Sequence, residues 1–430
     1  MLLGDLLGQA HQASSTTPLY EDLRLVCAAD RRLAEARLAP AVLTTAPGLA
    51  RTHRPHLTAV ILTHDEQDRI GDCLDALAED ADEVLLIDSG SRDRTLDIVE
   101  HHPMPTRIIH APWHEDFARQ RNLAFDHIHD GWILMVDADE TLTRTCAGTI
   151  RRGLTLLDAL LPGRDIALCP QIQDTHDPAG LYTDLPRVLR ADTALRYRGR
   201  IHERPYDPHG NAPATIHITS RFEHHGYQKE TIRAKDKLKR HTRLIELCRS
   251  QEPQNPKWIY YQVRAELPGI TGPGHARELF DRLADSLPSY SQSAQDYLHE
   301  RGEDTWALLC ELALRFGGAD EVRTYAELLD GAGRRAEAAY FRTIVTMSRT
   351  THLLERLADD AAEALQDPGR SAIRDTGRLH ELHGLLALAS GRYDRLTTAL
   401  RAARDHGAGS ALTNEINRLK NSLPAAGGPS

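Results

Sequence analysis

Aromatic residues are scarce in this chain of 430 residues: Phe, Tyr and Trp together make up 5%. Long apolar runs are missing. No stretch approaches the roughly 18 apolar residues that a membrane-crossing helix needs, so no membrane span is expected. Cysteine is sparse as well. Cys27, Cys73, Cys146, Cys169, Cys248 and Cys310 lie far apart and form no CxxC pair. This excludes a zinc ribbon or a disulfide scaffold and fits a reducing compartment. Positive charge is outnumbered: 52 Lys and Arg stand against 62 Asp and Glu, a net charge of −10. That balance argues against nucleic acid or an anionic membrane as a partner. The opening MLLGDLLGQAHQ has no basic stretch and is interrupted by Asp5. It does not read as a signal peptide, and a cytoplasmic location is expected.

What is present is 41% apolar and 27% charged, as in globular proteins of two or three domains at roughly 150 residues each. Residues 1–55 read as a helical leader and linker. Leu19–Ala39 carries Leu and Val at helical spacing, and Pro40, Pro47 and Pro55 break the chain after it. From Leu57 the texture changes. LTAVILT at 57–63, EVLLIDS at 83–89, TRIIHA at 106–111, WILMVDADE at 132–140 and DIALCPQI at 165–172 are short and mostly apolar. Runs of this kind read as strands buried on both faces. Helical patterns alternate with them over Glu66–Glu79, Arg92–His101, Asp116–His129 and Arg144–Leu161. The alternation predicts an α/β domain over 56–228 with a mainly parallel, Rossmann-like sheet, whose ligands sit at the carboxyl ends of its strands. Beyond Gln228 the strand-like runs stop. Residues 229–410 read as an all-α domain with weak tetratricopeptide-like spacing, as in Tyr260, Ala276, Phe280, Leu283 and Pro288. Residues 411–430 read as a flexible tail.

Four segments at the predicted strand ends carry the chemistry. Asp137–Ala138–Asp139 follows an apolar strand, and two carboxylates one residue apart suit Mg²⁺ or Mn²⁺ shared with phosphates; the pair would equally cap a following helix. Ile87–Asp88–Ser89–Gly90–Ser91–Arg92–Asp93 ends a strand in a small-residue turn. Asp88 would accept hydrogen bonds from a base or ribose, and the turn permits close backbone approach; the alternative is a plain strand–turn–helix with Ser91 as N-cap. Thr63–His64–Asp65–Glu66 would seat a base or simply open a helix. In the stretch Trp113–Asn122, Arg119 and Arg121 would reach phosphates and Asn122 would hold a loop, unless the segment is only an amphipathic helix start.

Taken together, LTAVILTHDEQDRIGDCLDAL, DEVLLIDSGSRDRTLDIVE, APWHEDFARQRNLAF and GWILMVDADE resemble the core of family-2 glycosyltransferases of the GT-A fold, over about residues 57–230. The resemblance implies an inverting hexosyltransferase that takes its sugar from a nucleotide-sugar donor, UDP-glucose or UDP-N-acetylglucosamine. It implies that Asp65 and Asp88 hold the uridine, that Asp93 supports their turn and that Arg121 and Asn122 line the nucleotide site. It also implies that Asp137 faces the sugar or ribose and that Asp139 binds the metal. His64–Asp65 departs from the family's usual small-residue–Asn pair. Downstream, Pro186–Arg190, Arg198–Glu203 and Glu223–Tyr227 resemble a subgroup within the family. It includes cell-envelope enzymes and the peptide S- or O-glycosyltransferases of the sublancin type, which append a helical-repeat tail.

An inverting transfer needs a base for the acceptor's proton. Glu203 is the first candidate, with a plain salt bridge to Arg200 or Arg204 as its rival, and Asp137, Glu140 or Glu223 as the alternative base. His202 or His224 would complete the metal shell. Lys229–Arg243 carries seven Lys or Arg and reads either as an anion-attracting helix or as a solvated face. The expected acceptor is a Ser, Thr or Cys side chain of a ribosomal peptide, held by the helical domain; a cell-envelope or lipid-linked glycan is the alternative. A homodimer is compatible with the same helices. A nucleotidylyltransferase is disfavoured, because Thr63–Asp68 contains no Gly for a phosphate loop.

Overall fold

Among the described residues, twelve strands organise the first part of the chain: β1 (Val26–Ala29), β2 (Leu57–Thr63), β3 (Glu83–Asp88), β4 (Thr106–His110), β5 (Trp132–Asp137), β6 (Glu140–Leu142), β7 (Ile166–Asp174), β8 (Leu181–Tyr182), β9 (Val188–Arg190), β10 (Arg196–Arg198), β11 (Arg204–Tyr206) and β12 (Ala214–His224). The computed structural model describes residues 1–14, 17–38, 54–177, 180–225, 231–290, 295–367, 369 and 373–422, with the backbone alone at 231–238, 374, 412 and 419–422. These fall into two compact units. One is Met1–Pro268 with Asp285–Gly302, the other Gly269–Ala284 with Glu303–Ser430.

The main sheet of the first unit runs β1-β12-β7-β9-β5-β2-β3-β4. β5, β2, β3 and β4 are parallel neighbours, as strand–helix alternation requires. The rest is mixed, which the sequence did not predict. β9 runs antiparallel between β5 and β7, β7 and β12 are parallel, and β1, β6 and β8 add antiparallel pairings. Side chains alternate between two cores, so the sheet is the middle of three layers. Leu57, Ala59 and Ile61 of β2 with Trp132, Leu134 and Val136 of β5 pack against the helices Ile70–Leu77 and Thr149–Leu160. Val60, Ile133 and Met135 face the helix Phe117–His127 on the other side.

All four expected helices are present, but three begin late, the one expected from Arg144 starting at Thr149 after a 3-10 turn. Ile70–Leu77 and Thr95–His101 start several residues after Glu66 and Arg92, because the intervening residues bind the neighbouring loop instead. The expectation for residues 1–55 is corrected by the fold. Leu19–Ala39 is not one helix: a short helix Pro18–Leu23, strand β1 and the single turn Arg31–Ala34 occupy it. Leu3, Leu6, Leu23, Val26 and Leu33 are buried in the main core, and β1 pairs with β12, Val26 opposite Ile218. Hydrophobic spacing over so few residues does not separate a helix from a strand. Pro40 and Pro47 lie outside the described residues.

The helix Thr231–Gln251 follows β12, and Lys257–Glu266 comes after it. Lys257, fully buried, reaches Glu300 at 2.9 Å, and Tyr206 Oη donates to the same carboxylate at 2.7 Å. Tyr297 lies under the ammonium at 3.7 Å. This buried cage ties Lys257, Tyr297 and Glu300 to β11.

The second unit is helical: Pro273–Ala284, Gly302–Phe316, Ala319–Gly331, the long Arg335–Gln366, Ile373–Ala389, Tyr393–Asp405 and Ser410–Ser422. Phe280 packs edge-on to Phe316 at 5.3 Å and Arg277 meets Glu321 at 3.1 Å. The last helix occupies the start of the segment expected to be a tail; residues 423–430 lie outside the described residues.

Candidate active site

The loops after β2 and β3 are sewn together by their own side chains. Asp65 adopts a left-handed conformation, φ +55°, and its Oδ1 accepts from the backbone of Arg92 at 2.7 Å. Its N–H donates to Ser91 Oγ at 3.0 Å. Glu66 N donates to Thr95 Oγ1, and Gln67 N to Asp93 Oδ2. Asp88, at the end of β3, is 2% exposed and accepts from Gly90 N at 3.0 Å and Ser91 N at 3.1 Å. Gly90 has φ +103°, a conformation that favours glycine. Burial would raise the Asp88 carboxyl, but the Ser91 and Gly90 bonds outweigh it and hold the group below the usual carboxylate range. Ser89 binds Thr63 O through both its N–H and its hydroxyl. Thr63 Oγ1 is buried with no partner among the described residues. Ser91 is therefore no N-cap: it ties one loop to the other.

The Asp137–Asp139 turn does not cap a helix either, because β6 follows it at once. A chain of charges runs across it. Arg121 Nε donates to Glu203 Oε1 at 2.7 Å, and its Nη2 to Asp137 Oδ1 at 2.8 Å. Arg187 Nη2 bridges Asp137 Oδ2 at 2.9 Å and Glu140 Oε1 at 3.1 Å. Burial alone would raise Asp137, but Arg187 and Arg121 together hold it far below the ordinary carboxylate range. Burial pushes the Glu140 carboxyl up, against the pull of Arg187. Ala138 is buried between them.

Asp139 stands apart from this chain. His224 Nδ1, at the end of β12, lies 3.3 Å from Asp139 Oδ1, and Arg69 Nη1 lies 3.9 Å from Oδ2. β6 sets the approach, since Glu140 pairs with His224 in the antiparallel register. Burial lowers His224, but Asp139 raises it more, so its affinity for a proton is increased. Gly226 and Tyr227 lie outside the described residues.

Other candidates are placed elsewhere. His202 stacks on Tyr261 at 3.8 Å and bonds His241 at 3.0 Å. Burial lowers it to about 3, which keeps it neutral. Asn122 clamps Tyr197, donating to its carbonyl at 2.9 Å and accepting from its N–H at 2.8 Å. Arg119 and Asn122 line a pocket of about 520 Å³ with Tyr197, Arg200 and Glu252, which Arg121 does not line. Glu203 does form a salt bridge, but with Arg121 rather than Arg200 or Arg204. Arg204 instead meets Asp184. Glu203 Oε2 bonds no described residue. Sequence reasoning gave Arg69 and Arg187 no role in the cluster and offered Glu140 only as an alternative base. All three lay inside segments singled out by resemblance, with no local mark of the partner each would meet.

Residues 58–154 match glycosyl transferase family 2. The chain is a glycosyltransferase. Its family-2 segment holds β2 to β5 with Asp65, Asp88, Arg121, Asp137 and Asp139, while Arg187, Glu203 and His224 come from beyond it. This glycosyltransferase is 25% identical over 381 residues to the SPbeta prophage-derived glycosyltransferase SunS of Bacillus subtilis, covering 87% of this chain and 86% of SunS. It is 26% identical over 202 residues to a TPR repeat-containing protein of Synechococcus elongatus, covering 45% of this chain and 48% of that protein. Among solved structures, S. aureus TarS 1–349 aligns at a TM-score of 0.31 and 11% identity, over 69% of this chain and 91% of that one; that likeness is slight.

Proposed function

We propose that this glycosyltransferase is inverting and metal-assisted, and moves a hexose from UDP-glucose or UDP-N-acetylglucosamine to a Ser, Thr or Cys side chain of a peptide. The observation that carries the metal part is the approach of His224 to Asp139, 3.3 Å apart at the carboxyl edge of the sheet. The partly exposed Asp139 carboxylate is a fitting oxygen ligand for Mg²⁺ or Mn²⁺, and His224 would have to give up its proton to add a nitrogen beside it. Two protein ligands leave room for substrate phosphates. Among the described residues no third His, Cys, Asp or Glu joins them. Such an ion, when bound, stabilises charge on the departing diphosphate.

The chain's own residues do the rest. The stitched loops of Asp65 and Asp88 form a fixed floor for the nucleoside. Glu203, oriented by Arg121, keeps Oε2 for the acceptor's proton. As the acceptor oxygen or sulfur bonds to the anomeric carbon, the bond to the diphosphate breaks and the proton passes to Glu203. Stacked helix pairs such as those of the second unit suit an extended peptide, and the resemblance to peptide S- or O-glycosyltransferases supports that acceptor.

The test is Asp139→Ala together with chelation. Transfer should vanish in both, and Mn²⁺ should restore it only in the wild type. Full activity in EDTA would overturn the metal assignment, and transfer to glycan acceptors but to no peptide would overturn the acceptor.

A further inference from the structure

Glu203 and its neighbour His202 face opposite ways. Glu203 Oε1 accepts from Arg121 in the cluster, and the Glu203 side chain is 11% exposed. His202 turns instead toward the two helices that follow β12. Its ring stacks on Tyr261 of Lys257–Glu266, with centroids 3.8 Å apart and planes 2° from parallel. Its Nε2 meets Nε2 of His241, in the helix Thr231–Gln251, at 3.0 Å. His202 itself has φ +53°. A residue with a Cβ seldom adopts this left-handed conformation, and keeps it where the surroundings impose it. Gly199, three residues earlier, has φ +98°, and a Cβ there would stand 3.1 Å from the Trp258 ring. The turn that leads into Glu203 is therefore moulded on the helix Lys257–Glu266 at two points.

The stacking partner is fixed. Tyr261 Oη donates to Glu300 Oε1 at 3.2 Å and accepts from Arg301 Nε at 2.8 Å, and Glu300 is the carboxylate that holds buried Lys257. Between the two imidazoles one ring donates and the other accepts, so their bond needs at least one neutral ring. Burial, helped by His241, Arg301 and Arg264 against the pull of Glu300, lowers His202 to about 3 and keeps it neutral. Arg121 does not place Glu203 by itself. It shares its guanidinium with Asp137, and a single N–H···O contact leaves the carboxylate free to swing about it. The direction of the Glu203 side chain follows from its backbone, and the backbone is held one residue earlier.

We infer that His202 is a positioning residue for the base: gripped by Tyr261 and His241, it holds the left-handed turn that aims Glu203 into the cluster. This rests on the proposed role of Glu203. The helices after β12, and not the sheet alone, then fix where the acceptor's proton is received.

A double-mutant cycle on the full chain separates positioning from plain structure. The probe is release of UDP from UDP-glucose and from UDP-N-acetylglucosamine with water as the acceptor. Water's oxygen bonds to the anomeric carbon, the bond to UDP breaks and the proton passes to Glu203. His202→Asn retains a residue that tolerates the left-handed conformation and removes the ring; His241→Leu removes the bond to it from the other side. In both variants kcat should fall by about 10–10²-fold, since a small misplacement of a reacting group costs that much. KM for the donor and the calorimetric affinity for UDP should not change. In the Glu203→Gln background the same substitutions should alter kcat by less than about twofold, because aiming a base has no effect once the base is gone. An equal loss in both backgrounds would make His202 merely structural, and wild-type kcat in both variants would leave the turn without influence; either result overturns the inference. Should His202→Asn fail to fold, His241→Leu decides the cycle alone. Near-normal turnover by Glu203→Gln, or no UDP released by the wild type, would instead overturn the base or the donor reading beneath it.

Discussion

Glu203 and Asp88 behave as different kinds of acid. Glu203 is held by a single arginine nitrogen and has an oxygen left over, as the proposed role of base requires. Glu203→Gln keeps the shape and removes the basicity. Transfer to a hydroxyl should fall by about 10²–10⁴, with donor affinity preserved in calorimetry; near-normal turnover would place the base elsewhere. Asp88 has both oxygens engaged by backbone N–H groups, so much of its work is structural. Its carboxyl is held below the usual range. The resulting stability is fully present above the unfolded value near roughly 4 and is lost as pH falls through the lower folded value. Asp88→Asn should therefore cost about 1–2 kcal/mol at pH 7, and the difference from the wild type should shrink as the pH drops below roughly 4. Urea unfolding at a series of pH values checks this. A constant difference would mean that the charge on Asp88 contributes nothing.

The N-terminal segment shows how an element is decided by its neighbours. Leu3, Leu6, Leu23, Val26 and Leu33 are each at most 3% exposed. Burying such side chains contributes about 1.5–3 kcal/mol apiece, which summed rivals the whole stability of a domain, about 5–15 kcal/mol. A protein lacking residues 1–38 should therefore be insoluble or unfolded by circular dichroism, although the family-2 segment is intact. A soluble, cooperatively folding product would show that the segment is dispensable. β9 makes the same point. Its few residues, Val188–Arg190, would not be assigned as a strand by composition, yet β9 fills the gap between β5 and β7 and carries Arg187 to the site.

Across the whole molecule, the compact units do not divide where the strand-like sequence ends. The Lys257–Glu300 cage belongs with the catalytic sheet, so a cut near Gln228 or Arg249 should unfold that unit. A chain ended after Gly302 keeps the cage but leaves Phe280 without Phe316, so Leu279→Ser and Phe280→Ser are added for solubility. Such a protein should still hydrolyse the donor slowly and lose transfer to a full-length peptide. Peptide transfer with unchanged KM would mean that the helical unit does not recognise the acceptor.

The sequence by itself determined β2 to β5, their intervening helices and the carboxylates at their ends. Those features are local: a short apolar run, a small-residue turn and an acid at the strand's end lie within a few residues of one another, where periodicity and turn chemistry act. Tertiary structure alone decided that the leader enters the sheet, that His202 stacks on Tyr261 while His224 meets Asp139, and that Glu203 pairs with Arg121 rather than Arg200 or Arg204. Each of these depends on residues far apart in the chain. A histidine or an arginine carries no local mark of the partner it will meet, because sheet order and antiparallel register choose among many equivalent candidates only once the core has closed.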